Sequence, residues 1–166
     1  MSVNFRNFFP KVNVIYLLLG MALTIVLLGC RADDRNQPGN WTTYRNDRFG
    51  FEFLYPDRWV TSITPENRDG IAFSDPTNPN VEIRGWAGEE IGNQRKSVPS
   101  NFTTQQGISG NLEIKVDAKV SLMTMTIVQN KIRYNWRGSA PSQQFDSYYQ
   151  FFYYIASRFK VVGAPK

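Results

Sequence analysis

The sequence predicts an α+β domain: an antiparallel β-sheet with packed helices, closed by one long carboxy-terminal helix. Three observations carry that expectation. Between residues 51 and 136, apolar and polar side chains alternate in short runs broken by turn residues, the period-two pattern of strands with one buried face. Beyond residue 141 the period changes, and aromatic residues recur at three- and four-residue steps, as on one side of a helix. The composition, 42% hydrophobic and 14% aromatic, is rich enough for a packed core.

Taken in order, the first strand signal is FGFEFLYPDRWV (49–60). Phe51, Phe53 and Tyr55 fall on one side, Glu52 on the other, and Pro56-Asp57 makes a turn. Residues 71–74 (IAFS) read as a strand followed by the loop DPTNPN, and 81–86 (VEIRGW) as the next strand. The segment 88–110 is polar and weakly periodic, which predicts mostly loop with one short helix. Leu112, Ile114 and Val116 alternate with Glu113, Lys115 and Asp117, giving another strand with its apolar side inward. Residues 121–128 and 132–136 flank Gln129-Asn130-Lys131 as a hairpin, with Ile132, Tyr134 and Trp136 opposite Arg133, Asn135 and Arg137. Phe145, Tyr148, Tyr149, Phe152, Ile155, Ala156 and Phe159 form a helical stripe from about residue 141 to 158. Pro141 would lie in its first turn and Ser139 or Ser142 would cap it. Residues 159–162 (FKVV) follow as a closing strand.

The amino-terminal region is organised differently. Residues 1–13 carry Arg6 and Lys11 and no acid, and residues 14–28 (VIYLLLGMALTIVLL) carry no charge. A basic start before an apolar span of about 15 residues is the plan of a secretory signal, and the span is short for a membrane-crossing helix, which needs about 20. The run ends in Leu27-Leu28-Gly29-Cys30, which holds the sole cysteine of the chain and resembles the bacterial lipobox. That resemblance implies a signal peptide over 1–29, cleavage before Cys30 and lipidation of its sulfur. Multiple acyl chains anchor stably where one binds only marginally. Residues 30–40 then read as the lipidated cysteine and a flexible tether, and 41–166 as one globular domain. The expected address is extracytoplasmic and membrane-anchored.

Composition excludes several chemistries. The chain has no histidine, so the commonest general base and metal ligand are missing, and one cysteine allows neither an internal disulfide nor a thiolate metal cluster. Two of the 19 basic residues lie in the leader, leaving 17 against 14 acids, a net +3. So small an excess, in a chain with a secretion signal and no recognition motif, argues against nucleic acid. Ser121 and Ser139 lack a base, and the paired acids Asp33-Asp34 and Glu89-Glu90 have no spacing that implies a shared proton. No catalytic residue, cofactor or metal is expected.

The stretch YRNDRFGFEFLYPDRWV (44–60) resembles the opening of PsbP-like proteins, the family of the extrinsic photosystem II protein and its cyanobacterial lipoprotein relatives. The likeness rests on an aromatic-rich strand followed by Tyr55-Pro56-Asp57-Arg58-Trp59, with weaker echoes in GIAFSDP (70–76) and IASRFKVV (155–162). The resemblance implies an α/β/α sandwich around an antiparallel sheet and a non-enzymatic accessory role at a membrane. The family's proposed metal sites use histidine, so none carries over.

Two surfaces are candidates for a partner. On the helical wheel Phe151, Tyr153 and Tyr154 fall outside the apolar stripe. Either the 88–110 segment covers them, or they form an exposed aromatic patch that docks a partner. Arg84, Lys115, Arg133 and Arg137 fall on the polar sides of strands, interleaved with Glu82, Glu113 and Asp117. They form either a charge-balanced solvated face or a basic face for acidic lipid or protein. The leading functional expectation is protein–protein interaction with an envelope or thylakoid membrane complex, through Phe151, Tyr153, Tyr154, Arg133 and Arg137. The alternative is a small-ligand-binding lipoprotein with a cleft between helix and sheet, and a hydrolase comes third. Nothing in the sequence sets the oligomeric state.

Overall fold

The computed structural model describes residues 40–63, 66–90 and 100–163. The leader, Cys30 and the tether up to residue 39 lie outside the described residues. Among them are ten strands and one helix: β1 (Trp41–Asn46), β2 (Phe51–Pro56), β3 (Val60–Ile63), β4 (Gly70–Asp75), β5 (Asn78–Glu89), β6 (Phe102–Thr103), β7 (Ser109–Lys115), β8 (Val120–Gln129), β9 (Ile132–Pro141), α1 (Phe145–Ser157) and β10 (Lys160–Val161).

Seven strands form the main sheet in the order β3-β4-β5-β9-β8-β7-β6, and β1-β2-β10 form a smaller one; the pairs are antiparallel. The frame is the β8–β9 hairpin, paired from Gln129↔Ile132 to Val120↔Pro141. Its turn needs only Asn130 and Lys131, both with positive φ (54° and 64°), the conformation that matches the right-handed twist of a two-residue hairpin. Inward positions on this frame alternate: Ser121, Met123, Met125 and Ile127 on β8, and Tyr134, Trp136, Gly138 and Ala140 on β9 are buried.

The small sheet and α1 cover this inner face. Glycines in the central strands make the covering close. A β-carbon on Gly85 would meet the Phe53 ring at 2.4 Å, and one on Gly138 would meet the Phe152 ring at 2.5 Å. Thus β2 plants Phe53 in one glycine hollow and α1 plants Phe152 in its neighbour, two strand positions away in the register Gly85↔Trp136 and Ile83↔Gly138. Phe51 stacks on Phe159 at 5.4 Å and joins the two covering elements. Each such side chain withdrawn from water contributes about 1.5–3 kcal/mol.

The structure departs from the sequence expectations in several places. The loop after β4 shrinks to a tight turn, because Asp75 Oδ1 accepts bonds from the Thr77 amide (2.9 Å) and hydroxyl (2.7 Å), and β5 begins at Asn78. β9 continues to Pro141 instead of stopping near Trp136. Its inward residues there are Gly138 and Ala140, too small to register as an apolar alternation. Pro141 therefore ends a strand, and α1 begins at Phe145 after Gln144, which makes no side-chain cap bond. Ser142 Oγ instead donates to Asp117 O at 2.5 Å and Ser139 Oγ to Glu82 O at 3.4 Å. Within 88–110 the described residues hold the end of β5, β6 and the start of β7, and residues 91–99 of that segment, where a short helix is expected, lie outside the described residues. Finally, the described residues contain one helix, on one face of the main sheet, so the second helical layer of an α/β/α sandwich is not found among them.

Candidate functional site

The face of the main sheet that no described element covers is built by the other parity of the same strands. On β5 these are Glu82, Arg84 and Trp86; on β9, Arg133, Asn135, Arg137 and Ser139; on β8, Leu122, Thr124 and Thr126. Arg84 stands directly opposite Arg137, an arrangement of like charges that weakens a sheet by itself. Glu82 Oε1 lies 3.5 Å from Arg137 Nη2, and its other oxygen accepts from Ser62 Oγ at 3.2 Å. Arg84 has no such acid among the described residues. Its guanidinium lies against the Trp86 ring, 5.6 Å from the ring centroid. The Nε atoms of both arginines are shielded from solvent and find no hydrogen-bond partner. At the end of β9, Arg133 Nη2 bonds Glu90 Oε1 at 2.7 Å. The centre of the face is therefore a cation pair with one carboxylate beside Arg137 and an indole beside Arg84.

The sequence-expected aromatic surface is distributed otherwise. Phe151 packs against Trp41 (5.7 Å) and Trp59 (5.3 Å). Tyr154 lies 5.0 Å from Trp41, with the Arg158 guanidinium 3.7 Å over its ring. Both are half-buried. Tyr153 alone of the three is exposed, at 41%, with Phe102 edge-on at 5.8 Å. The 88–110 segment thus supplies one covering ring, Phe102, and the remaining cover comes from β1 and the residue preceding β3. These aromatics lie on α1, over the inner face. Arg133 and Arg137 lie on the opposite face, so the fold does not bring the two groups together.

Trp86 escaped the sequence reading although its signal was present. Val81 and Ile83 fix the inward parity of β5, which places a tryptophan at 86 on the polar side with Arg84. Phe49, Phe51, Phe53 and Trp59 are buried core, and Tyr55 stacks on Phe73 at 3.9 Å.

The seam between helix and sheet is filled among the described residues: Trp136, Phe152, Phe145, Ile155 and Met125 are buried there. Two open surface depressions lie elsewhere. One, about 170 Å³, is lined by Thr43, Glu52, Leu54, Gln105, Arg158 and Lys160. The other, about 540 Å³, is lined by Arg48, Phe49, Glu89, Glu90, Lys131 and neighbours. Of the acids that a hydrolase would have to pool, Glu52 engages Arg45, Asp75 engages Thr77 and Glu82 engages Arg137, while Asp57 stands exposed in the turn after β2. The groups displaced from their ordinary ionisation range are two phenols. Burial pushes Tyr44 up, opposed by its bond from Asn46 and aided by Asp47, and burial alone pushes Tyr134 up. Neither shift produces an acid or base near neutrality. No described helix is long and apolar enough to cross a membrane.

No family model and no curated protein matches the chain. Among solved structures it is similar to the solution structure of cyanobacterial PsbP (CyanoP) from Synechocystis sp. PCC 6803, at 16% identity and a TM-score of 0.46, over 82% of this chain and 99% of that one. It is also similar to a crystal structure from Bacteroides thetaiotaomicron VPI-5482, at 13% identity and a TM-score of 0.51, over 78% of this chain and 50% of that chain. The second likeness is one of fold, shared with half of a longer protein. Among the described residues the fold is strand-rich with a single carboxy-terminal helix.

Proposed function

We infer that this chain is a lipoprotein anchored through Cys30, with a non-enzymatic accessory role. Its domain docks an acidic segment of a membrane protein complex on the periplasmic side or in a thylakoid lumen. The observation that carries the docking reading is the Arg84–Arg137 pair with Trp86 beside it. Two guanidiniums held opposite each other form a ready receptor for a carboxylate, which relieves their repulsion and takes their free N–H groups. Tryptophan and arginine are also the side chains that most often dominate binding interfaces. Arg133 and Arg137 belong to this surface, and Tyr153 is a second, separate contact. Phe151 and Tyr154 serve it indirectly, by holding Trp41 and Trp59 in place.

The test is affinity purification of the full chain from native membranes, with mass spectrometry of its amino terminus. The expected result is acyl groups on Cys30 and recovery of a membrane complex. Arg84→Ala should weaken that recovery by about 2 kcal/mol, roughly thirtyfold, and Arg84→Glu should abolish it. Undiminished recovery with Arg84→Glu would falsify the open-face reading, and an intact leader would overturn the anchor.

A further inference from the structure

The outer edge of β7 carries a pattern that fits a second copy of itself. β7 bonds β8 on one side from Asn111 to Lys115, but on the other side β6 reaches only Ser109 and Gly110. The next outward-pointing backbone group, at Leu112, is closed by a side chain. The Leu112 amide donates to Asn101 Oδ1 at 2.7 Å, and Asn101 Nδ2 donates to Leu112 O at 3.0 Å. Since backbone groups alternate along a strand, the N–H and C=O of Ile114 point to that same edge. Among the described residues no strand pairs with them. Ile114 is 41% exposed and Val116 75%, although the sequence alternation places both on the apolar side. An edge with open backbone groups and apolar side chains is a template for strand addition.

The order of side chains selects the partner. Around Ile114 the sequence reads Leu112-Glu113-Ile114-Lys115-Val116. Lay an antiparallel copy against it on a two-fold axis through Ile114. Ile114 then meets its equivalent, Glu113 meets Lys115, and Lys115 meets Glu113. The central apolar residue faces its own copy and both charges face their opposites, a self-complementary interface of the two-fold kind. The central Ile114 pair falls at a hydrogen-bonded position, exchanging both backbone bonds.

We propose that the chain self-associates through β7, edge to edge about Ile114, joining two main sheets into one continuous sheet. Asn101, by holding both backbone groups of Leu112, stops the ladder before that residue and keeps the contact short. The association is therefore weak in solution and is favoured where an anchor raises local concentration on a membrane.

Disulfide trapping tests it in the full chain carrying Cys30→Ser, so that an introduced cysteine is the sole thiol. Across the two-fold axis the Ile114 α-carbons lie about 5.5 Å apart, within disulfide reach. The Val116 α-carbons lie four residues apart along the strands, about 14 Å, and are out of reach. Ile114→Cys should give at least about tenfold more covalent dimer than Val116→Cys under mild oxidation. That holds even though Val116 is the more exposed. In sedimentation, Glu113→Lys should abolish the concentration-dependent dimer, and Glu113→Lys with Lys115→Glu should restore it. Equal trapping at 114 and 116, trapping at neither, or a double charge reversal that fails to rescue overturns the proposal. A different protein trapped at 114 in place of a second copy would assign the edge to that partner and overturn self-pairing.

Discussion

The two faces of the main sheet are made by the same strands and obey opposite rules. On the inner face side chains are chosen for shape. Gly85 and Gly138 are hollows, Phe53 and Phe152 fill them, and Trp136 between them is fully buried. On the outer face side chains are chosen against stability. Arg84 faces Arg137, and Trp86 lies half-buried on a surface that no described element covers. One residue of register separates the two sets, since adjacent strand positions point to opposite faces. The inner face is where the fold is held, and the outer face is where there is freedom to bind. Substitutions on the two faces should therefore separate stability from partner recovery.

The largest effect is expected at Trp136. Its ring lies edge-on to Phe152 at 6.1 Å, and its indole N–H has no partner. Trp136→Ala should cost about 3–5 kcal/mol in urea denaturation. Trp136→Phe should cost clearly less, because it keeps an aromatic ring and removes an unpaired polar group. Equal losses from the two would mean that the indole, rather than ring volume, holds the site. Next comes Gly138→Ala. Its β-carbon would overlap Phe152, so either the helix or the strand must shift, with an expected loss of about 1–3 kcal/mol. A neutral result would show α1 to be more loosely docked than the geometry says.

A third effect is set by pH. The chain has no histidine, so stability should be flat between about pH 6 and 8. Tyr134 is raised above its ordinary value of 10.0 by burial, and its hydroxyl donates to Phe49 O at 3.3 Å. The folded state therefore holds the phenolic proton more tightly than the unfolded chain. This contribution is fully present below about pH 10 and is lost as pH rises through the folded-state value. Tyr134→Phe should flatten part of that alkaline limb in pH-dependent denaturation. An unchanged limb would assign it to Tyr44, which is raised in the same direction.

The contrast between the faces also explains what could be read from sequence. Strands with bulky inward residues were legible: Phe51 and Phe53, Met123 and Met125, Tyr134 and Trp136 each mark a buried parity. The last third of β9 was not, because its inward residues are Gly138 and Ala140 and their importance lies in what fills the space above them. The helix stripe was legible from spacing, but its start was not. Gln144 carries no capping bond, and the serines that suggested caps are engaged with Asp117 and Glu82. For the site, strand parity placed Arg133 and Arg137 on the polar side. The Arg84–Arg137 register depends on how β5 meets β9 across some 50 intervening residues, which local pattern does not encode. Nor does the wheel of α1 show that Trp41 and Trp59 come to cover Phe151 and Tyr154.

The smallest stability effect is expected at Arg84, and there the comparison is sharpest. Arg84 has no acid partner among the described residues and faces a like charge, so little of its interaction energy favours the isolated fold. Arg84→Gln keeps much of the side chain's length over Trp86 and removes the repulsion. Its effect on denaturation should lie within about 0.5 kcal/mol of zero, or be slightly stabilising. Arg137→Gln, which also gives up the 3.5 Å contact with Glu82, should be the less favourable of the two. If Arg84→Gln instead destabilises by several kcal/mol, the guanidinium is part of the fold's own packing and the open face is structural. If it leaves stability alone while partner recovery falls, then the cation pair is an arrangement that the isolated domain does not need. Its retention at the centre of an otherwise favourable sheet is then explained by what binds there.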